Sequence, residues 1–266
     1  MEIDTPGTPP PWPLNHKRSH SIVSDTASTA SDSSVEDRPS YASWADSYDF
    51  APFSESQKSA ARAALATWSD VANITFTEVS DANSGGLIRF GTNYQTSSAA
   101  YAYYPDLFNG TGGDVYLSRY SASNSSHSPG TAGFDILVHE IGHALGLKHP
   151  GNYNVTGGGT EGPYLPYNQD NNRYTVMSYH RQSIYDYNVY GSAPALYDVA
   201  AIQYLYGAKT SARSGDDIYT FSNTTTPFTK VIWDGGGNDT ISASAQSLNV
   251  EIELTQGAFS SIGVYS

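Results

Sequence analysis

Cysteine is missing altogether from the 266 residues. Disulfides and thiolate metal ligands are therefore excluded, and a transition-metal site would have to be built from His, Asp, Glu or Tyr. Basic residues are scarce as well: 13 Lys and Arg stand against 26 Asp and Glu, a formal net charge of -13. That balance argues against nucleic acid or an anionic membrane as a partner, because both reward basic patches. No apolar run approaches the roughly 18 residues of a membrane span. The opening "MEIDTPGTPPPWPLNHKRSH" also lacks the apolar centre of a Sec signal. A chain of this length buries a sizeable core, as one domain or as one domain with a smaller appendage.

Low complexity dominates residues 1–42, where "SIVSDTASTASDSSVEDRPS" offers little apolar periodicity. Such a composition predicts coil, as a tail or linker or as a pro-segment. Further on, Ser54 stands three residues before Gln57, and Ala61, Ala64, Leu65 and Trp68 recur at helical spacing, which predicts a capped amphipathic helix. "NITFTEV", "GGLIRFG" and "GGDVYLS" read as three short strands punctuated by glycine turns. A further helix is expected over "ALYDVAAIQYLYG", with Leu196, Val199, Ile202, Gln203 and Tyr206 near one face and Gly207 as its stop. Past Gly207 the texture turns to Gly, Asp and Thr, so the expected divisions are 1–42, 43–207 and 208–266.

Seven histidines occur in the chain, and three of them fall with one glutamate inside the apolar stretch "FDILVHEIGHALGLKHP". On a helix His139 and His143 lie one turn apart on one face, so two imidazole nitrogens can reach one ion. Gly146 stands where the helix can stop in a left-handed turn, which lets the chain swing His149 back toward the same ion. Pro150 reinforces the stop. Three neutral imidazoles with an open position match a catalytic zinc site, and Glu140, next to the first ligand, can act as base toward the water that a metal activates.

The extended motif "HEIGHALGLKHP", followed by "YTVMSYH", resembles the metzincin metallopeptidases and, within them, the serralysin family of secreted bacterial proteases. "SWADSYDFAPFSESQ", "ATWSDVANITFTEV", "DVAAIQYLYGA" and "WDGGGNDT" carry the closer resemblance over about residues 43–266. It implies an α+β fold: a twisted, mostly parallel sheet with an antiparallel edge strand, an active-site helix and a C-terminal helix, followed by the start of a calcium-binding β-roll or β-sandwich region. It also implies that Met177 is a structural residue in a turn beneath the zinc. Tyr179 would be a resting-state zinc ligand that swings away to steady the oxyanion. The strand "GGDVYLS" becomes the candidate edge for an extended polypeptide substrate. His180 is expected in the cleft wall, and His16, His20 and His127 are expected as solvated surface residues.

"WDGGGNDTI" approximates one turn of a calcium-binding Gly-Gly-x-Gly-x-Asp repeat, with Asp234 in place of the first glycine. By the resemblance it pairs with "ARSGDD", setting Arg213, Gly215 and Asp217 opposite Asp234, Gly236 and Asp239; Asp217 replaces a common threonine. Family members carry tandem repeats and an export signal beyond the point matched by "SSIGVYS", so the chain is expected to be a fragment or a short form. The functional expectation is a secreted, monomeric zinc endopeptidase that also binds calcium. A catalytically silent calcium-binding or adhesive module, or a metalloenzyme hydrolysing something other than peptides, are the alternatives.

Overall fold

The computed structural model describes residues 19–24, 43–80, 87–106, 110–154, 157–181, 189–223 and 228–263. In chain order the elements are β1 (Ser19–Ser24), α1 (Trp44–Ser47), β2 (Ala51–Pro52), α2 (Glu55–Ser69), β3 (Thr75–Ser80), β4 (Ile88–Asn93), β5 (Ala100–Ala102), β6 (Val115–Ser118), α3 (Ala132–Ala144), β7 (Tyr190–Gly191) and α4 (Leu196–Tyr206). Short strands complete the chain: β8 (Ile218–Ser222), β9 (Phe228–Thr229), β10 (Thr240–Ala245), β11 (Val250–Glu251) and β12 (Ser261–Ile262).

The α2 helix starts as its sequence predicts. Gln57 N–H donates to Ser54 Oγ at 3.3 Å, while Gln57 Oε1 accepts from Ser54 N–H at 2.9 Å. Between them they satisfy two of the amide donors that a helix start leaves without partners. Its Ala61, Ala64, Leu65 and Trp68 are buried. They join Ile88 and Phe90 of β4, Val115 and Leu117 of β6, and Leu137, Val138 and Ile141 of α3 in one core. Val199 and Ile202 of α4 reach the same core, and Gly207 ends that helix at φ 84°.

The main sheet runs in the order β3-β1-β4-β6-β5, with β2 added antiparallel to β4. Pairing is parallel from β3 through β6, and β5 alone closes the row antiparallel. This is the mostly parallel sheet with an antiparallel edge strand that the resemblance implies.

Two expectations are corrected. "GGDVYLS" is not the edge: β6 lies between β4 and β5 and all four of its residues are buried, the pattern of an interior strand. The edge on that side of the sheet is β5, whose "AYA" is hidden by the small and polar residues before it. Secondly, residues 19–24 are not coil. The β-branched pair Ile22 and Val23 sits in a strand paired along its whole length with β3, and main-chain hydrogen bonding there does not depend on the polar composition around it. Residues 1–18 and 25–42 lie outside the described residues.

After Gly207 the strands are short and largely exposed. β8 and β10 pair in parallel, β11 and β12 antiparallel. This region meets the first part of the chain at several points. β7 pairs with β9, Arg213 Nη1 lies 3.3 Å from Asp70 Oδ2, and the Arg173 guanidinium stands 3.8 Å over the Phe259 ring.

Candidate metal centre

The α3 helix closes in a Schellman turn. Gly146 N–H donates to His143 O and Leu147 N–H to Gly142 O, each at 2.9 Å, with Gly146 at φ 102°. A side chain at that φ is strained, so glycine is what lets the chain reverse within one turn of His143. The reversal brings His149 Nε2 to 3.0 Å from His143 Nε2 and 3.2 Å from His139 Nε2.

Each imidazole is oriented from behind. His139 Nδ1 donates to Val176 O at 2.7 Å, His143 Nδ1 to Leu147 O at 2.7 Å, and His149 Nδ1 to Tyr153 O at 2.9 Å. With Nδ1 carrying the proton, the three Nε2 atoms present lone pairs to one another. Burial keeps the rings neutral, pushing His139 down to about 4 and lowering His143 and His149 as well. Three converging lone pairs with no proton between them repel, and a cation is the group that resolves the conflict. The all-nitrogen donor set, with three protein ligands and room for another, fits zinc.

Glu140 is buried, and its Oε2 has no hydrogen-bond partner among the described residues. Burial pushes its carboxyl up to about 8. Such an orphaned oxygen, on the residue that follows His139, has a use only if something polar enters the site. Tyr179 lies against the cluster, its ring 4.5 Å from His149 and 5.8 Å from His139, and remains half-exposed. The hydroxyls of Tyr179 and Tyr104 are raised, first by burial and then by the Glu140 carboxylate, which places both within its electrostatic reach.

The segment under the histidines is held by groups that sequence reasoning missed. Asp198 of α4 is buried and accepts from Thr175 Oγ1 at 2.5 Å, Val176 N at 2.7 Å and Ala195 N at 2.8 Å. It thereby anchors Val176, the residue whose carbonyl orients His139. Asp170, also buried, accepts from the Tyr153 hydroxyl and Ser178 Oγ, each at 2.6 Å, and so secures the residue that orients His149. Only the helical position of Asp198, one turn from Ile202 on a buried face, signalled it. Met177 is buried as expected: a Cβ on Gly142 would stand 2.6 Å from its Sδ, so the glycine lets turn and helix touch.

The remaining histidines divide. His180 lines the site's flank, with Nδ1 3.3 Å from Asp170 Oδ2 and its ring 5.1 Å from Tyr153. His127 is not a solvated surface residue: it is partly buried, its Nε2 is enclosed without a partner among the described residues, and burial lowers its pKa. His20 falls within β1, level with Phe76 in the strand register, and the surroundings of its side chain lie outside what is described. The error at His127 came from judging burial by neighbouring polar residues, which the fold overrides. His16 is outside the described residues.

A second cluster gathers Asp217, Asp234 and Asp239, whose ligand oxygens lie within 4.8 Å of one another. Glycine turns hold it: Gly236 at φ 144° donates its N–H to Asp234 Oδ1 at 2.8 Å, and Asp217 N–H donates to Asp239 Oδ1 at 2.9 Å. Gly215 lies across from these loops, its carbonyl so close to Gly237 that a Cβ there would collide with it. Arg213, at φ 48°, turns its guanidinium to Trp233 O and Asp70, so only its main chain could serve a cation. Among the described residues none of the three carboxylates is ion-paired, and hard oxygens in this number suit calcium.

A family pattern described as Matrixin matches residues 43–155, and one described as Peptidase M10 serralysin C terminal matches residues 195–266. The chain is 39% identical to the Metallopeptidase AprA of Pseudomonas marginalis, over 80% of this chain and 49% of that protein. It is 39% identical to the Serralysin of Proteus mirabilis, over 79% and 49%, and 40% identical to a Serralysin C of Dickeya chrysanthemi, over 80% and 49%. The chain thus spans about half the length of the curated relatives it matches.

Proposed function

Because the chain belongs to the serralysin family of metzincin zinc metallopeptidases, we propose that it is a zinc-dependent endopeptidase that cleaves extracellular proteins. The observation that carries this reading is the convergence of three carbonyl-oriented imidazoles, with the buried Glu140 next in the chain to His139 and its Oε2 without a hydrogen-bond partner among the described residues. His139, His143 and His149 would hold a zinc ion, and that ion when bound would supply Lewis acidity toward a peptide carbonyl and lower the pKa of water.

Glu140 is the general base that takes the proton from the attacking water and delivers it to the leaving amine; its burial keeps competing solvent away. Tyr179 lends its hydroxyl to the oxyanion and is the candidate resting-state fourth ligand. Its half-exposed ring has room to move. Met177 and Gly146 are structural. An extended polypeptide lies along β5, the edge that replaces the strand first expected there. The catalytic unit comprises residues 43–207 together with β1. Residues 208–266 form the calcium-binding unit, in which Asp217, Asp234 and Asp239 supply carboxylates and Arg213, Gly215 and Gly236 the loop backbone. The protein acts outside the cell as a monomer.

Casein zymography with and without a chelator tests the assignment. A cleared band that disappears on chelation and returns with zinc is expected. Zinc-loaded, folded protein that clears no casein would leave a silent calcium-binding module instead.

A further inference from the structure

Asp46 is 1% exposed on the four-residue helix α1, and nothing in the metal centre uses it. One carboxylate oxygen, Oδ2, accepts from Ser43 N at 3.0 Å and Ser43 Oγ at 2.6 Å. The other, Oδ1, accepts from the hydroxyls of Tyr101 at 2.6 Å and Tyr103 at 2.9 Å. Asn93 Nδ2 completes the group, donating to Asp46 O at 3.2 Å and to the Tyr101 hydroxyl oxygen at 2.7 Å. Capping a four-residue helix does not require an enclosed carboxylate that also gathers two tyrosines.

Those tyrosines belong to the sheet edge. In the β5–β6 ladder Ala99 O accepts from Ser118 N–H, and Tyr103 N–H donates to Asp114 O. Alternation then turns the main-chain groups of Ala100 and Ala102 to the open side, where no strand pairs among the described residues. The side chains of Ala100 and Ala102 pack on the core, while Tyr101 and Tyr103 reach the opposite way to Asp46. An edge of three residues, paired on one side, frays readily unless tied elsewhere.

We infer that Asp46 is a positioning residue for substrate: through Tyr101 and Tyr103 it clasps β5 so that Ala100 and Ala102 receive an extended polypeptide as an added strand. This rests on the peptidase assignment. Affinity gained along an edge depends on the edge being ordered before the substrate arrives.

The test uses a nested peptide series growing outward from one scissile bond, assayed on the zinc-loaded protein, Asp46→Ala, Asp46→Asn and the Tyr101→Phe/Tyr103→Phe pair. Affinity of the longest peptide is also measured on Glu140→Gln, with and without Asp46→Ala, where no turnover is needed. Asp46→Ala should raise KM for long peptides on the order of tenfold with kcat little changed, and leave the shortest peptide unaffected. Asp46→Asn, keeping one acceptor oxygen, should fall between. The tyrosine pair should match Asp46→Ala, and the combination should add nothing further. Equal losses at every length, or an undiminished gain with length in Asp46→Ala, overturns the clasp. Should Asp46→Ala fail to fold, the tyrosine pair, which loses only two hydroxyls, decides. Should the parent protein cleave no peptide, the peptidase assignment fails, and the affinity measurement alone upholds or overturns the clasp.

Discussion

His139, His143 and His149 are each tied at the rear nitrogen to a carbonyl. The supporting turn is in turn tied to a buried aspartate. Asp217, Asp234 and Asp239 sit instead on partly exposed loops, tied to main-chain N–H groups and to the Tyr219 hydroxyl. In the first cluster the core determines where the ligand atoms stand, and an ion finds them arranged. In the second, carboxylates of like charge are brought together in a chain already at net charge -13, so the ion itself offsets their repulsion. Ion removal should therefore cost chemistry at one centre and local structure at the other.

The sharpest test of the contrast is Glu140→Gln. Activity should fall on the order of 10³-fold or more, while zinc stoichiometry and the response to calcium stay as they were. Metal analysis with a peptide assay measures both, and substantial remaining turnover would remove Glu140 as the base. Next in size, Tyr179→Phe should lower kcat by about 10²-fold, the scale of losing one oxyanion donor, and affect KM less. An unchanged kcat would strike Tyr179 from the mechanism. The smallest effect on turnover belongs to the aspartates. Calcium at a hundredfold excess over its Kd stabilises by about 3 kcal/mol, and melting curves should shift upward by several degrees. Asp239→Ala should blunt that shift with the histidine site still filled. If both proteins shift equally, the calcium site is elsewhere and the contrast breaks.

What the sequence made legible was local. The capping box at Ser54 and Gln57, the pair His139 and His143, the glycine stop at Gly146 and the buried Met177 all follow from spacing along a few turns. The features it concealed depend on distant partners. Whether "VYLS" or "AYA" forms the edge is decided by strand order, and hydropathy alone points to neither. Asp46 and Asp198 looked like ordinary acidic residues because their donors lie elsewhere in the chain, such as Tyr101, Tyr103 and Thr175. β1 was masked by the serines around it, since a strand enclosed by neighbours on both sides is stabilised by main-chain pairing that composition does not register.

That first strand also sets a schedule for folding. β1 precedes every other described element, yet its partners are β3 and β4, with Ser19 beside Thr75 and Ile22 beside Ile88. As the chain emerges from the ribosome, β1 must wait, both edges unsatisfied, until those later strands exist. Closing such distant parallel pairs is slow. The proportion of chains lost to association should therefore depend on how quickly the strands β3 and β4 arrive to enclose β1.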